Sequence, residues 1–194
     1  MTSKFSDPNL LFAAIADGPI SSEELLHMSL SGCTHEEARA HFKERARVRK
    51  AADAIEGQPL ETWPAFDVRW DLDQRSFYRV YDGANPDQVN ADEFVLIPDV
   101  SLAAIDAALT PHWHRTAEEV WTVGSPDKAA RAIVHWHEGG RMTPPLIVPT
   151  SDGRLTIGGG NHRLAVARAK GTALLPVLVK EDQETRVRDI LQFQ

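Results

Sequence analysis

Three consecutive glycines, Gly158, Gly159 and Gly160, join a stretch that alternates to one that propagates as a helix. Residues 154–157, Arg-Leu-Thr-Ile, follow an Asp152-Gly153 turn and read as a strand. Residues 161–170 carry Leu164, Ala165, Val166, Ala167 and Ala169, good material for a helix that Gly171 would end. A glycine backbone can turn sharply and come close to another atom. The helix that follows opens with unpaired N–H groups, and its first turn holds Asn161, His162 and Arg163. Bare backbone, a helix N-terminus, an imidazole and a guanidinium together make an anion site.

The rest of the chain bounds what such a site can serve. The net charge of -7 argues against broad wrapping of nucleic acid, where a basic excess supplies most of the affinity. A single cysteine, Cys33, excludes an intrachain disulfide, so cytoplasmic residence is the expectation. No apolar run approaches the roughly 20 residues of a membrane span. The first residues lack the charged-then-apolar pattern of a secretory signal. With 42% apolar residues the chain can build a real core.

Residues 1–60 read as a helical N-terminal extension. Asp7-Pro8 starts a short apolar helix over residues 9–16. Ser21 with Glu24, and Thr34 with Glu37, are capping-box patterns that open two further helices. The second runs over residues 35–56, with Ala38, Phe42, Ala46 and Ala52 as its buried stripe and Gly57 as its stop. It carries Arg39, Lys43, Arg45, Arg47, Arg49 and Lys50, which is either a solvated face or a local phosphate-contacting one. Residues 66–70 alternate and predict a strand, and residues 76–81 predict a second β-rich run closed by Asp82-Gly83.

From Phe94 the order is regular. A strand over 94–97 is followed by a helix over 102–109, and residues 118–123 fit either a helix or a strand. Ser125-Pro126-Asp127 starts a helix that stops at Gly139-Gly140. Strands over 146–148 and 154–157, the glycine loop, the helix over 161–170 and a strand over 174–179 complete an α/β domain over 61–180. A polar tail, 181–194, places Val187, Ile190 and Leu191 at helical spacing.

The order from Ser125 to Val179 resembles the ParB/sulfiredoxin-like superfamily, which includes partition-protein N-terminal domains, sulfiredoxins and free-serine kinases. The resemblance rests on Glu138-Gly139-Gly140, Pro145 with the apolar run after it, Asp152-Gly153, Leu155-Thr-Ile157, Gly160-Asn161-His162-Arg163, Gly171 and Leu175-Pro176-Val177. It extends over residues 94–179 if the strand at Phe94 is the family's opening one. It implies a small mixed sheet and a nucleotide site for ATP or CTP, with Mg²⁺ held mainly through the phosphates. Carried over, Gly158, Gly159 and Gly160 present backbone N–H groups, and Arg163 offers a planar fork to phosphate. His162 donates to phosphate or moves a proton, Asn161 caps the helix or touches the metal's water shell, and Arg141 and Thr143 line the pocket. Without the phosphate, the glycines simply make a tight turn, Arg163 is a surface ion pair and His162 a structural hydrogen-bonder.

The departures narrow the function. The sulfiredoxin loop carries a reactive cysteine beside its His-Arg pair, and here none is there. Little chain follows Val179, which leaves no room for the partition proteins' DNA-binding domain or for the relatives' second nucleotide motif. Asp99 and Glu138 are the acidic residues considered for a base. The expected function is a nucleotide hydrolase or phosphotransferase. The alternatives are a nucleic-acid-associated ParB-like nuclease or accessory module, making weak contact through the basic helix, and a non-catalytic partner protein of the same fold. His112-Trp-His114 and His135-Trp-His137 have the spacing of metal ligands on a strand, but the second pair falls at a helix end, where such residues diverge.

Overall fold

The computed structural model describes residues 20–192. The expected helix at residues 9–16, with its Asp7-Pro8 start, lies outside them. The chain divides into two compact units, residues 1–50 and 51–194.

The first unit contains a helical pair. Helix α1, Ser22–Ser31, begins with the expected reciprocal cap, in which Ser21 and Glu24 each accept from the other's backbone N–H. Gly32, in the left-handed conformation, ends it. Helix α2, His35–Asp53, starts with the same arrangement between Thr34 and Glu37. It stops three residues before the expected end, and Gly57 follows with φ 74°. Ala38 and Ala52 are buried as expected, whereas Ala46 is exposed. The rings of His27 and His41 stack between the two helices, 4.4 Å apart, and Arg39 reaches Glu24.

The second unit is built on a four-stranded mixed sheet of order β1-β4-β2-β3. Strand β1 is Phe94–Ser101, β2 is Leu146–Pro149, β3 is Leu155–Gly159 and β4 is Leu174–Lys180. β2 and β3 form the hairpin expected around Asp152-Gly153, β1 runs antiparallel to β4, and β4 runs parallel to β2. β1 extends past the expected end through a bulge between Ile97 and Val100, where Asp99 takes φ 51°.

Side-chain alternation sorts the sheet into two faces. Ile147, Leu155, Ile157, Leu175, Val177 and Val179 form one face. It packs against helix α3, Leu102–Ala108, against Leu164 of helix α5, Asn161–Ala169, and against Val187 of helix α6, Glu184–Gln192. Leu146, Leu178 and Phe94 face the other way, where Phe77 and Val80 cover them. A third cluster joins α5 to helix α4, Pro126–His137, through Ala129, Ala132, Ile133, Ala165, Val166 and Ala169. The small side chains let the two helices approach closely. Residues 163–169 are all buried, because α5 packs against both the sheet and α4. Arg168 is accommodated there by Asp106, which accepts two bonds at 2.9 and 2.5 Å.

Two sequence expectations fail between residues 66 and 81. Residues 66–70 form no strand: Trp70 makes only an isolated bridge with Met142, and Phe66 stacks on Trp136. Residues 74–80 form a 3-10 helix instead of a β run. Asp73 caps it by accepting from the Arg75 N–H, and Ser76, Phe77 and Val80 turn inward at a spacing that suits three residues per turn. Residues 118–122, which fitted helix or strand, also form a 3-10 helix.

Candidate functional site

The glycine junction is divided by structure. Gly158 and Gly159 belong to β3, and only Gly160 makes the turn. Each excludes a side chain for its own reason. A Cβ on Gly158 would lie 2.8 Å from Val148, and one on Gly159 would lie 2.3 Å from the Val80 carbonyl oxygen. The backbone at Gly159 is thus pressed against the end of the 3-10 helix. Gly160 has φ 84° and is the N-cap of α5. The expected cap by Asn161 does not form: Asn161 is the first helical residue, and no side chain caps the helix.

Arg163 lies directly under this cap. A Cβ on Gly160 would come within 2.5 Å of its Nε. The residue is only 8% exposed, which excludes a surface ion pair. Its Nη2 donates to the Pro144 carbonyl at a long 3.4 Å, and its Nε has no partner. Burial pulls its pKa down to about 10, with Asp82 acting in the opposite sense. At neutral pH it therefore remains a buried cation with an unfilled donor, a costly arrangement.

His162 is turned toward α4. Its Nε2 accepts from the backbone N–H of Ser125 at 3.1 Å. That bond requires a lone pair on Nε2, so the ring is neutral with its proton on Nδ1. Burial lowers its pKa first, and the positive charge of Lys128 adds to that, while Asp82, Asp127 and the Val123 carbonyl oppose it. The ring rests on Gly124, where a Cβ would lie 2.9 Å from Nε2. In this arrangement Nε2, the nitrogen that would receive a proton from substrate, is engaged by Ser125.

The Thr143 hydroxyl is taken up away from the loop. Thr143 is 3% exposed and its hydroxyl donates to the Ser76 carbonyl. The Arg141 side chain is exposed, and its carbonyl pairs with His135 Nε2. What this segment contributes is the Pro144 carbonyl against Arg163.

Two residues that sequence reasoning passed over complete the surroundings. Lys128, in the first turn of α4, pairs with Asp82, just beyond the 3-10 helix. Asp82 is held below the usual carboxylate range by Lys128, with a smaller contribution from Arg163. A lysine in the first turn of a helix stands against the dipole, and that was the available signal. Asp99 is remote: it lies on β1, three strand spacings from β3 in the sheet order, about 14 Å.

The histidine pairs are separate structural groups. His135 bonds the Arg141 carbonyl and His137 Nδ1 bonds the Ala65 carbonyl. The His112 and His114 carbonyls both accept from Arg115. Among the described residues no group of three or more His, Cys, Asp or Glu could hold a metal ion. No helix among them is long and apolar enough to cross a membrane. A groove of about 410 Å³ beside Trp63 and Trp121 touches α5 only at Ala169, its far end, about 13 Å from the glycine cap.

Comparison with protein-family models, curated proteins and solved structures gave no match.

Proposed function

We propose that this chain binds the phosphate groups of a nucleotide, ATP or CTP, at the start of α5, in the manner of the ParB/sulfiredoxin-like proteins it resembles. The observation that carries the reading is Arg163. A charged guanidinium is buried beneath a glycine cap at an uncapped helix N-terminus, with its Nε–H unfilled. A purely structural role would fill that donor or replace the arginine with an apolar side chain. A phosphate oxygen above Gly160 supplies the missing charge and accepts from the backbone N–H groups of the first turn.

Mg²⁺ fits as a passenger on the phosphates, with Asp82 a nearby carboxylate and no group of three or more His, Cys, Asp or Glu among the described residues to hold it alone. The chemistry that suits this site is hydrolysis or transfer of a phosphoryl group. His162 supplies proton transfer only after its ring leaves Ser125, so the binding half of the reading is the stronger one. Calorimetric titration of ATP and CTP with Mg²⁺ tests it. Binding should be lost in Arg163→Ala. Absence of binding at millimolar concentration, or undiminished binding by that variant, refutes the reading. Release of inorganic phosphate by the purified protein distinguishes an enzyme from a non-catalytic binder.

A further inference from the structure

Asp82 and Lys128 form an ion pair whose placement is unusual for both partners. Lys128 occupies the first turn of α4, where the helix dipole disfavours a cation. The compensating charge comes from a different segment. Asp82 reaches it because the Val80 carbonyl, two residues earlier, is packed against Gly159, which anchors the chain at the glycine junction. Phe77 and Val80 hold the same segment on the sheet. The location of the carboxylate is therefore built by the core, although the side chain itself is 71% exposed and that of Lys128 is 40% exposed.

Asp82 is also within electrostatic reach of His162 and Arg163. One carboxylate thus serves, at the rim of the α5 N-terminus, two cations that a phosphate would use, Lys128 and Arg163. An accessible pair of this kind contributes little to stability and exchanges partners readily. Its arrangement suits a ligand-exchange role better than a stabilising one.

We propose that Asp82 is a resident anion of the site: its carboxylate holds Lys128 in the free protein and yields it to an incoming phosphate oxygen. Lys128 is then a binding residue, and Asp82 lowers the affinity that the site would otherwise have. The proposal rests on the phosphate reading above. It predicts that nucleotide affinity is limited from within the protein and rises when the carboxylate is removed.

The test is calorimetric titration of ATP into the full chain, in EDTA so that a metal-bridging role of Asp82 does not contribute. Asp82→Asn should bind up to about five-fold more tightly than the unsubstituted chain, the range expected for freeing one exposed pair. Lys128→Gln should bind more weakly. Asp82→Asn should tighten binding less in the Lys128→Gln background, because the competition for that ammonium is gone. The thermal midpoint without ligand should be nearly the same in all of these. Asp82→Ser serves as a second variant if the asparagine protein does not fold. Equal or weaker ATP binding by Asp82→Asn, with ATP bound by the unsubstituted chain, overturns the resident anion and leaves the phosphate site standing. No binding by either protein, with or without Mg²⁺, overturns both.

Discussion

The imidazole Nε2 of His162 accepts the backbone N–H of Ser125 at 3.1 Å, tying the first turn of α5 to the N-cap of α4. This bond exists only while the ring is neutral. The folded pKa of His162 lies below its ordinary value, mainly through burial and then through Lys128. Protonation therefore favours the unfolded chain. The stabilising contribution is complete above about pH 6.5, the unfolded value, and is lost as pH falls through the lower folded one. Thermal midpoints measured from pH 7.5 down to 5 should decline, and His162→Ala should lose part of that slope. An identical slope in the variant would assign the decline to other groups.

Gly159 should tolerate no side chain. Its φ is not the obstacle; the space is, because a Cβ would lie 2.3 Å from the Val80 carbonyl oxygen. Backbone atoms move only with their element. Gly159→Ala should lower stability by about 1–3 kcal/mol, read as a reduced urea midpoint. It should also displace the segment that carries Asp82.

Arg163→Met should have opposite effects on stability and binding. The guanidinium is buried with an unfilled Nε, so an apolar side chain of similar length removes a desolvation cost. The urea midpoint should stay the same or rise while ATP binding disappears. A strongly destabilised variant would point to arginine as a structural strut instead.

The Arg168–Asp106 pair gives the contrasting case. It is bidentate, with side chains 7% and 20% exposed. Asp106→Ala leaves the arginine uncompensated and should cost about 3–5 kcal/mol. The double substitution Arg168→Met with Asp106→Leu should recover much of that loss. Chemical denaturation of the three variants checks both statements.

Much of this structure follows from interactions between residues close in the chain. The reciprocal caps at Ser21–Glu24 and Thr34–Glu37 span one helical turn, and both form. The left-handed turns at Gly153, Gly160 and Gly171 are local demands of the backbone, and so the β2–β3 hairpin and the limits of α5 were legible. What the chain order could not convey was anything decided by a distant neighbour. Residues 76–81 are rich in β-forming side chains, but they coil as a 3-10 helix in which Phe77 and Val80 cover the outer face of the sheet. Ser125 and His162 are 37 positions apart, and Asp82 and Lys128 are 46 apart, so neither pairing has a spacing that reveals it. The sequence by itself determined a strand, a glycine cap and a helix with Arg163 in its first turn. Only the tertiary structure decided that Arg163 would be buried with its Nε unfilled, that His162 would turn toward α4, and that Asp82 would pair with Lys128. Those outcomes depend on which surfaces the packed sheet and helices leave beside the loop.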